Sequence, residues 1–351
     1  MLGLRGVGKT VLLDRMRADA ERSGARAVRI EAPEDRSLPA LLAPELRTAL
    51  LALSRAEQAS DLARRALRAL AGFVTALRVK LRDIDVCIDF EREPGLADNG
   101  DLEHDLAALL EACGEAAKAG ETILAIFADE LQYVREAELA ALITALHRTA
   151  QRALPVVLVA AGLPQLRGRM GRAKSYAERL FDFSDIAALK PEAARQAIVK
   201  PALVEGVDIT VEAVDRIISE TQGYPYFLQE WGKHAWNVAA RSPIDIADVE
   251  AASITVQAAL DASFFRVRLE RLSPAERRYL RAMAELGAGP HRSGDIAAAL
   301  DRQVTALGPT RAALIDKGMI YGPNHGETAF TVPLFDDFMR RIMPGDRWRT
   351  E

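Results

Sequence analysis

Gly3-Leu4-Arg5-Gly6-Val7-Gly8-Lys9-Thr10 decides how this chain is read, because it fits the spacing G-x-x-x-x-G-K-[S/T]. Glycines at these positions let the backbone curl until successive N–H groups point inward at phosphate oxygens. A helix starting near Lys9 adds its N-terminal donors and the positive end of its dipole. Lys9 brings a charge to a β- or γ-phosphate, and the Thr10 hydroxyl can ligate Mg²⁺. The expected contacts run through Gly3, Arg5, Gly6, Val7, Gly8, Lys9, Thr10 and Val11. The rival reading is a Gly-rich turn that caps a helix. The phosphate reading is preferred because Val11, Leu12, Met16 and Ala20 recur at helical spacing from the point the motif requires.

A second segment agrees with the first. Thr122–Ala128 is a continuous apolar run, as expected of a strand buried on both faces of a parallel sheet, and it leads into Asp129-Glu130. Asp129 at the strand tip would hold Mg²⁺, directly or through water. Glu130 would polarise the attacking water. Taken alone, the two carboxylates serve equally well as caps of the next helix; beside the loop, the metal and base roles are favoured.

The 351 residues suggest two or three domains, and a hydrophobic content of 49% is enough for sizeable cores. A net charge of −4 gives no global bias toward nucleic acid or an anionic membrane. Cys87 and Cys113 are far apart and lack C-x-x-C spacing, so neither a disulfide framework nor a structural zinc site is expected. No signal peptide is recognisable, and the best apolar run, Leu154–Leu163, is short and contains Pro155. The expected location is the cytoplasm, with no membrane partner.

Strand and helix patterns alternate to about residue 187. Lys9 to Ser23, Leu38–Arg78 (as one or two helices), Asp101–Ala119 and Glu136–Ala153 read as helices. Ala27–Ile30, Thr122–Ala128, Val156–Ala161 and Phe181–Phe183 read as strands, and Ala76–Phe90 as an inserted β-hairpin. This predicts an α/β fold with a parallel sheet over residues 1–187. Lys190–Val204, Val211–Thr221 and Phe227–Ala240 then read as a helical unit over 188–261, with Trp231, Trp236 and Phe227 as its core. A third unit covers 262–351. It opens with a Ser273–Glu276 capping box and continues through Gly294–Leu300 and Val304–Lys317 to two short strands, Gly318–Tyr321 and Thr328–Val332.

With both motifs placed, the chain resembles the AAA+ class of P-loop NTPases, in its branch of archaeal-type ATPases and replication-initiator-like proteins. It also shares features with STAND signalling ATPases. The resemblance implies a parallel sheet of the P-loop NTPase type, a helical lid and a C-terminal winged helix, with ATP and Mg²⁺ as ligands. It also implies a polar sensor residue after the Val156 strand. The segment reads Ala160-Ala161-Gly162-Leu163-Pro164, so that side chain is missing unless Gln165 substitutes, and slow turnover is expected. An arginine finger is implied as well; Arg179 fits best, in competition with Arg167, Arg169 and Arg172. Gly223 and Pro225 resemble the Gly-x-Pro turn of STAND and archaeal ATPases, which lies near the nucleotide, although a plain helix start explains them equally well.

Residues 262–351 carry 14 Lys and Arg against 11 Asp and Glu, a net of +3. Gly294–Leu300 followed by Val304–Lys317 resembles a helix-turn-helix. Arg302, Thr305, Thr310 and Arg311 would then meet double-stranded DNA, and His291 and Arg292 its phosphates. Binding of a protein partner, or self-association, is the competing use of such a module. Two functions follow as expectations: an ATPase that couples nucleotide state to DNA or partner binding, or a STAND-like signalling or defence switch whose C-terminal domain binds protein. One further expectation concerns the start of the chain. A phosphate loop normally follows a buried strand, and Met1 and Leu2 are too few to form one. The first strand of the sheet is therefore expected to be missing, through truncation, a start placed too late, or replacement by another segment.

Overall fold

The computed structural model describes residues 1–33, 36–77 and 91–349. The chain divides into two compact units, one made of Met1–Leu2 with Lys9–Asp185, the other of Gly3–Gly8 with Ile186–Glu351. The hairpin expected over Ala76–Phe90 lies almost wholly outside the described residues.

The first unit alternates helix and strand. Its elements are α1 (Lys9–Arg22), β1 (Arg26–Glu31), α2 (Leu38–Leu53), α3 (Ser60–Ala76), α4 (Leu102–Ala119), β2 (Leu124–Asp129), α5 (Glu136–Gln151), β3 (Val156–Ala160), α6 (Leu166–Ala173) and α7 (Ala177–Leu180). Among the described residues the strands form one parallel sheet in the order β1-β2-β3, with Ile126 opposite Val28 on one side and Leu158 on the other. Strand alternation gives each face of β2 its own partner. Leu124, Ile126 and Ala128 join the core made by α2 to α5, whereas Ala125 and Phe127 pack with Leu13 of α1. All six residues of β2 are buried, as its unbroken apolar run predicts. β3 is more open than expected, with Val157 47% exposed. Helix α4 starts where the Asp101 carboxylate accepts the His104 N–H at 2.7 Å, a cap that contributes about 1 kcal/mol.

One sequence expectation changes here. Phe181–Phe183 forms no strand; only Asp185 pairs, through a bridge to Leu2. Leu2 also forms a parallel bridge with Gly162 and donates its N–H to the Ser184 carbonyl at 2.8 Å. The Met1 carbonyl accepts the Gly162 N–H at 3.1 Å. Two residues thus make one rung of pairing immediately ahead of the phosphate-loop sequence.

The second unit continues with α8 (Pro191–Val204), α9 (Val211–Thr221), α10 (Pro225–Val238), α11 (Ile246–Ala259) and α12 (Arg266–Glu270). After these come α13 (Pro274–Glu285), β4 (His291–Arg292), α14 (Ser293–Ala299), α15 (Gly308–Asp316), β5 (Ile320–Tyr321), β6 (Glu327–Phe330) and α16 (Phe335–Ile342). Its core holds Phe227 and Trp231, as the helical spacing predicts, but Trp236 is 42% exposed. The capping box at α13 is complete: Ser273 Oγ accepts the Glu276 N–H at 3.3 Å, and the Glu276 carboxylate accepts the Ser273 N–H at 2.7 Å. β4, β6 and β5 form a small antiparallel sheet in that order. The expected Val304–Lys317 helix is divided at Gly308-Pro309 into a 3₁₀ turn, Val304–Leu307, and α15. Pro309 sits in the first turn of α15, where its missing N–H costs nothing.

Candidate functional site

In the first unit, the end of β2 delivers the acidic pair. Asp129 is buried, and its Oδ2 accepts the Thr10 hydroxyl at 2.6 Å. Lys9, just before Thr10 in the first turn of α1, is only 6% exposed. A buried ammonium and a buried carboxylate are rare without strong partners.

Glu130 departs from strand geometry, with φ +53° and ψ +34°. Left-handed backbone is uncommon outside glycine and is concentrated at functional positions. Gln132, 2% exposed, supports it: Nε2 donates to the Glu130 carboxylate, and Oε1 accepts the Leu163 N–H at 3.0 Å. Gly162 makes room for this bridge, since a Cβ there would come within 2.8 Å of Gln132 Oε1. The bridge reaches the Ala160–Pro164 segment, where the sequence resemblance implies a polar sensor side chain. Gln165 does not take that place among the described contacts; its Oε1 is buried without a hydrogen-bond partner. Sequence reading missed Gln132. The available signal was the Asp-Glu-x-Gln spacing directly after the buried strand.

Gly3–Gly8 belong to the second unit. Gly6 and Gly8 have φ of +84° and +88°, the curled backbone that the motif predicts. The Gly6 carbonyl accepts the Tyr226 N–H at 3.1 Å, and the Arg5 N–H donates to the Thr331 carbonyl at 3.1 Å. Tyr226 is the second residue of α10, directly after Gly223-Tyr224-Pro225. Gly223 has φ +71°, and a Cβ there would lie 2.5 Å from the Leu189 carbonyl oxygen. The Gly-x-Pro turn therefore needs its glycine and starts the helix whose first turn holds the loop backbone. Val11 is 74% exposed and Thr10 is exposed.

The arginines near residue 170 separate by their contacts. Arg169 donates to the Gln132 and Val134 carbonyls, Arg167 stacks on Phe183 with its Cζ 5.2 Å from the ring centroid, and Arg172 lies 3.9 Å from Glu136. Arg179 on α7 is exposed and makes no side-chain hydrogen bond or ion pair among the described residues. In the C-terminal part, Arg302 and Thr305 are exposed and Thr310 half-buried. Arg311 is engaged differently from the sequence expectation: it donates to Thr328 Oγ1 and to the Glu327 carbonyl, both at 2.9 Å, and so ties α15 to β6. Cys113 is fully buried, and burial pushes its thiol pKa up to about 12, so it is no nucleophile in the folded chain.

Residues 2–159 match a family described as an AAA ATPase domain, and that stretch contains both the Gly3–Thr10 loop and Asp129-Glu130. Over that stretch the chain is similar to the AAA ATPase family. Beyond the AAA domain, residues 262–339 match a domain of unknown function, DUF8462. No curated protein matches the sequence. Among solved structures, a Walker-type ATPase of Pyrococcus abyssi is similar at 17% identity and a TM-score of 0.57, over 97% of this chain and 89% of that one; the likeness is one of fold. Two looser likenesses are the Orc1 protein of Aeropyrum pernix in complex with DNA and a RuvB variant of Thermotoga maritima. The first has 14% identity and a TM-score of 0.45, over 97% and 85% of the two chains. The second has 14% and 0.43, over 93% and 83%.

An AAA domain implies a nucleotide and typically Mg²⁺, and the side chains of the first unit fit that pair. A hydroxyl and a carboxylate oxygen 2.6 Å apart can share one hard cation that keeps most of its waters. Among the described residues no group of three or more His, Cys, Asp and Glu could hold a metal by itself. No helix of the described residues is long and apolar enough to cross a membrane.

Proposed function

We propose that this chain binds ATP with Mg²⁺ through Gly3, Arg5, Gly6, Val7, Gly8, Lys9, Thr10 and Val11, with Asp129 on the metal side, and hydrolyses it slowly. The observation that carries the reading is the 2.6 Å hydrogen bond between Thr10 and Asp129, which pairs the hydroxyl of the loop motif with the acid at the tip of β2. Lys9 neutralises phosphate charge, Thr10 and Asp129 position the metal, and Glu130 orients and activates water. Mg²⁺ supplies charge neutralisation on the phosphates. Arg179 reaches a neighbouring copy's nucleotide as an arginine finger, so specific activity rises with protein concentration. Phosphate release and nucleotide binding measured side by side test the reading. Glu130→Gln retains ATP and stops release, and Lys9→Ala loses ATP. Unchanged ATP affinity in Lys9→Ala would overturn the proposal.

The chain is organised as an ATPase domain over 1–187, a helical lid over 188–261 and a winged helix over 262–351, in the cytoplasm. The order α13, β4, α14, α15, β5, β6 supports the winged-helix assignment. Nucleotide state is coupled to duplex DNA or a partner through that module, with Arg302 and Thr310 toward DNA and Arg311 holding the helix behind them. Titration with duplex DNA at several salt concentrations tests the DNA reading; a binder shows log affinity falling linearly with log salt. Absence of binding at low salt leaves the protein-partner reading.

A second reading, a STAND-like switch with rare hydrolysis, is favoured by specific contacts. Tyr226 beside Gly223-Tyr224-Pro225, and Thr331 after β6, both bond the backbone of the loop sequence. In that reading nucleotide exchange, not turnover, changes what the C-terminal domain presents to a protein. ATP and ADP forms that differ in partner binding while Glu130→Gln behaves as wild type would favour the switch.

A further inference from the structure

Glu130 holds a left-handed backbone, and a residue other than glycine stays there only where its surroundings over-determine it. Directly after it, Leu131–Tyr133 makes a single 3₁₀ turn that ends at Val134. Arg169, on α6, reaches back to this turn across 37 and 35 residues of sequence. One terminal nitrogen donates to the Gln132 carbonyl, and the other donates to the Val134 carbonyl at 2.8 Å. We propose that Arg169 is a positioning residue for ATP hydrolysis, a clamp on the turn that keeps Gln132 and Glu130 aimed. The inference rests on the reading of Glu130 as the group that activates water.

The turn is held from two sides. On one side the end of β3 supplies partners: the Leu131 N–H donates to the Ala161 carbonyl at 3.1 Å, and Gln132 Oε1 accepts the Leu163 N–H at 3.0 Å. On the other side stands Arg169. Gln132 and Val134 are 2% and 3% exposed, so their carbonyls need donors from the protein, and one guanidinium serves both. A planar fork fixes two acceptors in one orientation, which the single ammonium of a lysine does not.

The arm is itself anchored. Its neighbours Leu166 and Met170 are buried in the core of the first unit, and the Arg169 N–H donates to the Gln165 carbonyl at 3.1 Å. Both terminal nitrogens are engaged inside their own domain, unlike those of the exposed Arg179. Gln132 is thus gripped at three points. Its carbonyl is held by Arg169, its side-chain oxygen by Leu163, and its side-chain nitrogen lies on the Glu130 carboxylate. Releasing the first point frees the turn to rotate, and the amide then loses its line to Glu130. Arg169 is assigned no contact with phosphate or metal, so its removal acts on rate and not on affinity.

The test measures phosphate release and nucleotide affinity side by side in the full chain. Glu130→Gln comes first; unchanged release there would sink the role of Glu130, and this inference with it. With release lost in Glu130→Gln, Arg169→Met is expected to lower the release rate about tenfold while nucleotide affinity stays within about twofold, the pattern of an interaction needed in the transition state. Arg169→Lys, which keeps the charge and one donor, should recover part of the rate. Arg169→Met placed on Gln132→Leu should lower the rate by less than the two separate losses multiplied, because both act through Glu130. Release at the natural rate in Arg169→Met, or losses that multiply in full, would overturn the clamp and leave the role of Glu130 standing. Urea melts separate a purely structural effect: a rate that only follows the folded fraction also overturns the clamp. Should Arg169→Met fail to fold, Arg169→Lys takes its place, with slower release at retained affinity expected and unchanged release overturning the proposal.

Discussion

Gln132 donates from Nε2 to the carboxylate of Glu130 while its own Oε1 accepts the Leu163 N–H at 3.0 Å. The residue proposed to activate water is therefore held by a buried amide anchored on the far side of the β3 end. Removing the amide should leave nucleotide binding intact and disturb the aim of Glu130. For Gln132→Leu, phosphate release is expected to fall roughly tenfold to a hundredfold, a part of the 10²–10⁴ that a positioned acid–base group supplies. Nucleotide affinity should stay within about twofold, since Gln132 is assigned no contact with the phosphates. A matching loss of affinity would mean that Gln132 supports the fold of the site and not the base.

Thr10 and Asp129 should depend on one another through the metal. Replacing the hydroxyl in Thr10→Val leaves the Asp129 carboxylate without its 2.6 Å donor and the ion without one ligand. Excess Mg²⁺ over EDTA is expected to tighten ADP binding in the natural chain, and this enhancement should shrink on the order of 10–100-fold in Thr10→Val. Fluorescent ADP titrations with and without Mg²⁺ read it directly. An undiminished Mg²⁺ effect would remove Thr10 from the metal site.

Gly6 gives a prediction about backbone strain. Its φ is +84°, and a Cβ would stand 3.1 Å from the Tyr226 Cβ. Gly6→Ala should destabilise the protein by about 1–2 kcal/mol, the usual cost of left-handed backbone for an L-residue. It should also weaken nucleotide binding, whereas Gly289→Ala, where a Cβ meets nothing within 4 Å, should leave nucleotide binding unchanged. Urea melts of the two variants make the comparison.

Glu276 predicts a pH dependence. Burial alone would raise its carboxyl pKa, but Lys317 and Ser273 outweigh burial and hold it below the ordinary value of 4.5. A carboxylate with a depressed folded pKa contributes stability that is fully present above the unfolded value and is lost as pH falls through the folded one. Glu276→Gln should therefore be less stable than the natural chain by roughly 1 kcal/mol at pH 7. The difference should vanish between pH 4.5 and lower values. Denaturant midpoints taken from pH 7 to strongly acid solution test it; a constant gap across that range would show that the charge is not what matters.

Much of the first unit was legible in the sequence because its signals are local. The loop motif, the apolar run into Asp129 and the helical periods each occupy a short window, and α4, β2 and α5 fall within a residue or two of expectation. The Gln132 bridge was not legible, because its value lies in a contact with Leu163, 31 residues away. Arg311 was misread for a related reason: its place near the start of a helix suggested a groove contact, and only the fold shows Glu327 and Thr328 taking its donors. The division of Val304–Lys317 was signalled by Gly308-Pro309, which a purely periodic reading overlooks. The bridge made by Leu2 could not be anticipated, since a single rung of pairing leaves no pattern.

The hydrogen bonds from Tyr226 to Gly6 and from Arg5 to Thr331 set a thermodynamic obligation. Two adjacent residues of one loop answer, through their peptide groups, to a helix start and to the strand end after β6. Whatever the loop gains or loses in those bonds on binding a nucleotide is free energy exchanged with α10 and, through Thr331, with the C-terminal module. Linkage makes the exchange symmetric. A partner that binds this module about a hundredfold more tightly in the presence of nucleotide must strengthen nucleotide binding about a hundredfold in return, so a nucleotide titration alone can report a partner's presence.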